Sequence, residues 1–159
     1  MAKATTKRVQ SNSEKTLPKF RYVSPDATPS RYVARCIGNC MAPTVPDGAA
    51  VVVDRTEPIV RGDLAVLFFK PEHAPSGHQA IIKRVVMPPP PYVKFPWKEH
   101  PQSDVHSLVI VERDNPPQRL AYKCEHLLAI HKCLGPVPSD ATYDANTAMW
   151  AIAAHKMRR

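Results

Sequence analysis

At 159 residues the chain can bury one substantial core, and its length leaves little room for two full domains. A hydrophobic fraction of 43% is that of an ordinary soluble protein, and 18 prolines against 5 glycines favour β structure with rigid connections over a helical bundle. The 22 Lys and Arg against 14 Asp and Glu leave a net charge of +8, which suits an acidic partner, while the longest apolar stretch, near Ala148 to Ala154, is about a third of the ~20 residues that cross a bilayer.

In chain order, residues 1 to 30 are polar. Up to Arg21 the basic side chains Lys3, Lys7, Arg8, Lys15, Lys19 and Arg21 are opposed by Glu14 alone, so a flexible basic arm is expected. No apolar run follows these charges, as a secretory signal would require. Regular structure is expected from Arg31, in one domain reaching to residue 137. Strands are expected at Tyr32 to Ile37, Ala49 to Asp54, Leu64 to Phe69, Gln79 to Val86, Ser107 to Glu112 and Leu127 to Cys133, with turns rich in Pro, Gly and Asp between them. That spacing fits a small, mainly β, barrel-like domain. Between Pro88 and Asp104, four consecutive prolines precede Tyr92, Phe95 and Trp97, and a stiff hairpin covering the core is favoured there over a polyproline ligand. In residues 138 to 159, Ser139 or Asp140 is expected to cap a short added helix through Tyr143, Met149, Trp150, Ile152 and Ala153. It would end on the basic residues Lys156, Arg158 and Arg159. That helix either packs on its own domain or docks on a second subunit.

Two segments carry chemistry. Gly38-Asn39-Cys40-Met41-Ala42-Pro43-Thr44 places a thiol in a turn, and Ala80-Ile81-Ile82-Lys83-Arg84-Val85-Val86 places a lysine in an apolar β-rich run, where it is out of place on propensity. Alternation along a strand sets Lys83 with Ile81 and Val85 and Arg84 with Ile82 and Val86, so one of the two bases must meet a buried or half-buried surface unless both reach water at a sheet edge. A thiol or hydroxyl needs a base to take its proton before it becomes a strong nucleophile, and a lysine serves as that base when burial leaves it neutral near physiological pH. A thiol beside a lysine can also rest as a thiolate–ammonium pair, which a serine hydroxyl does not.

These segments, together with Asp47-Gly48, Val51-Val52-Val53-Asp54, Arg61-Gly62-Asp63-Leu64-Ala65-Val66 and Arg113-Asp114-Asn115-Pro116, resemble the self-cleaving peptidase domain of LexA, UmuD and phage repressors, and more distantly the signal peptidases. The resemblance spans residues 31 to 137. It implies a LexA-like fold, a Ser/Lys-type dyad with Cys40 in the nucleophile's place and Lys83 as base, backbone N–H groups of Asn39 and Cys40 as the oxyanion donors, and homodimerisation. Two features depart from the pattern: the serine is a cysteine, and the usual Ala-Gly or Cys-Gly scissile bond has no counterpart before Gly38, the first glycine. The helix-turn-helix domain that repressors of this type carry is not expected within residues 1 to 30. Three readings of Cys40 stay open: a retained but silent site, a working nucleophile, and an ordinary buried thiol.

The remaining cysteines and histidines show no tight metal pattern. Cys36 and Cys40 are separated by three intervening residues, and Cys124-Glu125-His126 and His131-Lys132-Cys133 lie far downstream, so free thiols in a reducing cytoplasm are expected, with no metal and no cofactor. His126 and His131 are expected near the surface of the last strand. The charge lies largely in the two tails and no base-reading motif is present, so any contact with DNA or RNA would be non-specific. The leading expectation is a cytoplasmic regulatory or interaction protein of phage or stress-response type, with weak or lost hydrolytic activity and no membrane association. Its alternatives are an active peptidase using Cys40 and Lys83, and a basic nucleic-acid-associated protein.

Overall fold

A computed structural model describes residues 24–95 and 107–137, together with the backbone of 149–152. Runs of β-branched and aromatic residues set the strands: β1 Arg31–Cys36, β2 Ala50–Asp54, β3 Leu64–Phe69, β4 Ala80–Met87, β5 Leu108–Asp114, β6 Pro117–Lys123, β7 Leu127–Pro136 and β8 Met149–Ile152. They form one sheet in the order β6-β5-β4-β3-β7-β2-β1-β8. The first seven strands in that order pair antiparallel, and β8 joins β1 in parallel. The chain is therefore mainly β, as its composition implied. The sheet does not close: β6 and β8 stand at its two ends.

Two apolar clusters fill the fold. Tyr32, Met41, Val45, Val51, Val53, Val66, Phe68 and Ile82 belong to the first, and Leu67, Phe69, Ile81, Val85, Val109, Val111 and Leu127 to the second. Their division follows the period-two alternation of β3 and β4, which send successive side chains to opposite faces. Asp63 ties the β3 entry to its neighbours. Its backbone carbonyl accepts from Val85 N–H at 2.8 Å, its carboxylate accepts from Val60 N–H at 2.9 Å, and the same carboxylate meets Lys132 Nζ at 3.5 Å. Gly62, at φ +92°, makes the turn that a side chain would strain.

The six expected strands are present, Leu64–Phe69 with the expected bounds and the other five with shifted ends, and two segments differ. Residues 117–123 form β6, which was not expected because its exposed Gln118, Arg119 and Lys123 dilute the apolar signal of Leu120 and Tyr122. The expected C-terminal helix is corrected at 149–152, which forms β8; the rest of that helix lies outside the described residues. An unpaired β1 edge offers a row of backbone donors and acceptors, and a short segment gains more by adding to it than an isolated helix gains from its own bonds. Of the proline-rich insertion, the described part turns at Pro90, with Val93 N–H donating to its carbonyl at 2.9 Å, and packs Phe95 on the second cluster. Residues 96–106 lie outside the described residues, as does the arm before residue 24.

His131 is also corrected: it is buried on β7, with Tyr32 Oη 2.7 Å from its Nδ1 and the Phe68 ring 4.9 Å away. Burial, helped by nearby Arg55, holds its imidazole down at about 4. Because the unfolded chain takes up this proton near pH 6.5 and the folded one does not, folding stability is complete above that value and falls as pH drops from about 6.5 to about 4. The full swing is on the order of 3 kcal/mol. His126, lowered by burial and by His73, adds in the same direction. Thermal melts across this window should show His131→Gln losing much of the slope that the wild type displays; equal slopes would refute the assignment.

Candidate functional site

The turn that carries Cys40 connects β1 to β2 and is built to be stiff. Gly38, at φ +102°, donates to Asp47 Oδ1 at 2.8 Å, and Gly48 N–H donates to Cys36 carbonyl at 2.8 Å, closing the loop at its base. Within it, Ala42 N–H donates to the Asn39 carbonyl at 3.0 Å and Val45 N–H to the Met41 carbonyl at 2.8 Å. Met41 and Val45 are both fully buried and anchor the turn in the first cluster. Cys40, immediately before the first of these anchors, is half-buried and packs against the same cluster.

Lys83 approaches from β4. It lies opposite Ala65 in the β3–β4 ladder and has 6% of its surface exposed, so the strand does bury a base. Its Nζ donates to Cys40 Sγ at 3.2 Å and to the Ile82 carbonyl at 3.0 Å. Alternation places Lys83 with Ile81 and Val85 of the second cluster, whereas Cys40 packs on the first. The amine thus reaches from a position in line with the second cluster to a sulfur packed on the first. Sequence separation gives no hint of this contact, which joins residues 43 positions apart.

A third element, the β5–β6 turn, holds the other two in register. Asp114 and Asn115 N–H both donate to the Cys40 carbonyl, at 2.9 and 3.0 Å. The Asp114 carboxylate then accepts from Thr44 Oγ1 of the Cys40 turn at 3.2 Å and from Arg84 Nη2 at 3.0 Å. Arg84 follows Lys83 on β4, so one carboxylate links the Cys40 turn to the strand that carries Lys83. The Arg113-Asp114-Asn115-Pro116 run was noticeable in the sequence, but its role was not: the partners of Asp114 are 30 and 70 positions away. Beside this turn lies an open depression of about 470 Å³ lined by Glu112, Arg113, Asp114, Pro117, Gln118 and Arg119.

The other candidates separate from this site. All four cysteines are free, and Cys36, Cys124 and Cys133 are buried. Burial pushes the Cys36 and Cys124 thiols up to about 11 and raises Cys133 as well. Cys36 joins the first cluster close to Cys40, while Cys124 lies in the short turn after β6. His126 stacks on His73 with ring centroids 3.6 Å apart. Among the described residues, no group of three or more His, Cys, Asp or Glu side chains is placed to hold a metal ion.

No family model, curated protein or solved structure matches this chain.

The geometry makes a reactivity prediction. Iodoacetamide near neutral pH should alkylate Cys40 ahead of Cys36, Cys124 and Cys133, and Lys83→Met should slow Cys40 alkylation by about tenfold. Asp114→Asn should slow it less and cost about 1–2 kcal/mol in urea unfolding, since it weakens a linking hydrogen-bond set without removing the base. Equal labelling of the four thiols, insensitive to Lys83, would count against a dyad.

Proposed function

We propose that this chain is a LexA-like peptidase-fold protein of regulatory type whose Cys40 and Lys83 form a nucleophile–base dyad with weak hydrolytic turnover. The observation that carries the reading is the 3.2 Å contact between Lys83 Nζ and Cys40 Sγ, made by a buried amine to a half-exposed sulfur. A buried lysine aimed at a thiol is the arrangement that activation of a nucleophile requires, and it is uncommon as packing, because burying an amine costs free energy that an apolar side chain avoids.

In this reading Cys40 Sγ attacks a carbonyl carbon, and Lys83 takes the thiol proton and returns it to the leaving group. An acyl group is left on sulfur as a thioester, which water later releases. Backbone N–H groups of Asn39 and Cys40 are the proposed oxyanion donors, in keeping with the resemblance of residues 38–44 to the family turn. Slow turnover follows from the size of sulfur in a pocket of a type shaped around oxygen, where donors act best when aimed within a few tenths of an ångström of the developing charge. The depression along β6 and the outer edge of that strand suit an extended polypeptide, which could add to the sheet through its main chain. A homodimer, a cytoplasmic setting in phage or stress-response regulation, and salt-sensitive, non-specific contact of the basic tails with nucleic acid belong to the same proposal. Among the described residues, no helix is long and apolar enough to cross a membrane.

The reading is tested with an activated ester such as p-nitrophenyl acetate. The wild type should release about one equivalent of nitrophenol in a burst, with the acetyl group found on Cys40 by mass spectrometry and slow release afterwards. Lys83→Met should cut the burst rate by about a hundredfold, the usual scale of general-base assistance. Incubated alone at neutral and alkaline pH, the chain should stay intact, since residues before Gly38 offer no glycine at a scissile bond. A discrete Cys40-dependent fragment would instead establish an efficient self-cleaving peptidase, and absence of a burst with Cys40 unmodified would defeat the dyad reading.

A further inference from the structure

A hydroxyl in the nucleophile turn would be indifferent to peroxides, whereas sulfur can change oxidation state. Cys40 differs from the other three thiols in two independent ways. It is half-exposed while they are buried, and a buried amine donates to its sulfur at 3.2 Å. Access and an adjacent basic side chain are what distinguish an oxidant-sensitive cysteine from an inert structural one.

We infer that Cys40 is an oxidation site for hydrogen peroxide and small hydroperoxides, forming a sulfenic acid that reversibly silences the Cys40–Lys83 pair. Cys40 sulfur attacks one peroxide oxygen, an S–O bond forms and the O–O bond breaks. The thiol proton passes to Lys83 and on to the departing hydroxide or alkoxide, which leaves as water or alcohol. Sulfur is oxidised by two electrons and the peroxide is reduced by two. The sulfur is then no longer a nucleophile toward carbonyl carbon.

Return to the thiol needs a reductant, and the fold argues that it comes from outside. Cys36 shares the first cluster with Cys40, but it is 2% exposed and burial holds its proton on up to about 11, so it is a poor internal thiol. A small external thiol would attack the sulfenic sulfur, releasing water and forming a mixed disulfide; a second thiol would then take the first away and restore Cys40. This inference rests on the thiol–amine geometry and not on acyl transfer, so it goes beyond the peptidase-type reading.

The test treats the full chain with hydrogen peroxide in the presence of dimedone and maps the adduct by mass spectrometry. Dimedone should be found on Cys40 at about tenfold or more over each of Cys36, Cys124 and Cys133, and Lys83→Met, checked for an unchanged circular dichroism spectrum, should slow the modification by about tenfold. In a parallel sample without dimedone, peroxide should block iodoacetamide at Cys40 and dithiothreitol should restore it. Absence of adduct at Cys40, an even spread over the four thiols, or a rate indifferent to Lys83 in a folded variant would overturn the inference. Should Lys83→Met fail to fold, the wild-type distribution decides by itself. A chain that forms the adduct but gives no ester burst would sink the acyl-transfer reading alone.

Discussion

A lysine amine held inside a β-sheet is the constraint from which the rest of this site follows. Desolvating a cation or an amine is costly unless its hydrogen-bonding capacity is met, and at Lys83 the partners are the Ile82 carbonyl and Cys40 sulfur. The first is local and comes with the strand. The second has to be delivered from another part of the chain, so the turn carrying Cys40 must be fixed over β4. Met41 and Val45 do this by burial, and the closing bonds of Gly38 and Gly48 do it by backbone geometry.

Asp114 extends the same logic to a third element. Its carboxylate joins Thr44 to Arg84, and its own N–H meets the Cys40 carbonyl. A half-buried carboxylate with two side-chain partners restrains geometry more than it adds stability, because the Arg84 pair retains solvent contact, with 29% and 22% of the two side chains exposed. The sulfur and the amine are therefore held by a frame of three segments from β1–β2, β4 and β5–β6. Such a frame restrains the contact more than the packing of two isolated side chains would.

The sequence revealed this arrangement unevenly. Apolar β-rich runs bounded by turn residues located six strands, because each was long enough for its composition to show. A misplaced lysine in one of them, and a Gly-x-Cys-Met-x-Pro-Thr turn in the chain before it, marked Cys40 and Lys83. Contacts set by register were hidden: nothing local joins Asp114 to Thr44 or Tyr32 to His131. β6 escaped notice because an exposed edge strand has little apolar patterning. In the tail, Met149 to Ile152 combined residues compatible with either period, and the β1 edge selected the strand.

The central claim is that Lys83 and Cys40 form one chemical unit in solution. Nitrogen-15 NMR of the Lys83 side chain, recorded for the wild type and for Cys40→Ala, measures this directly. The account predicts a Lys83 Nζ resonance that is resolved from the solvent-exposed lysines and that shifts when the sulfur is removed. Superimposable Lys83 resonances in the two proteins would contradict it.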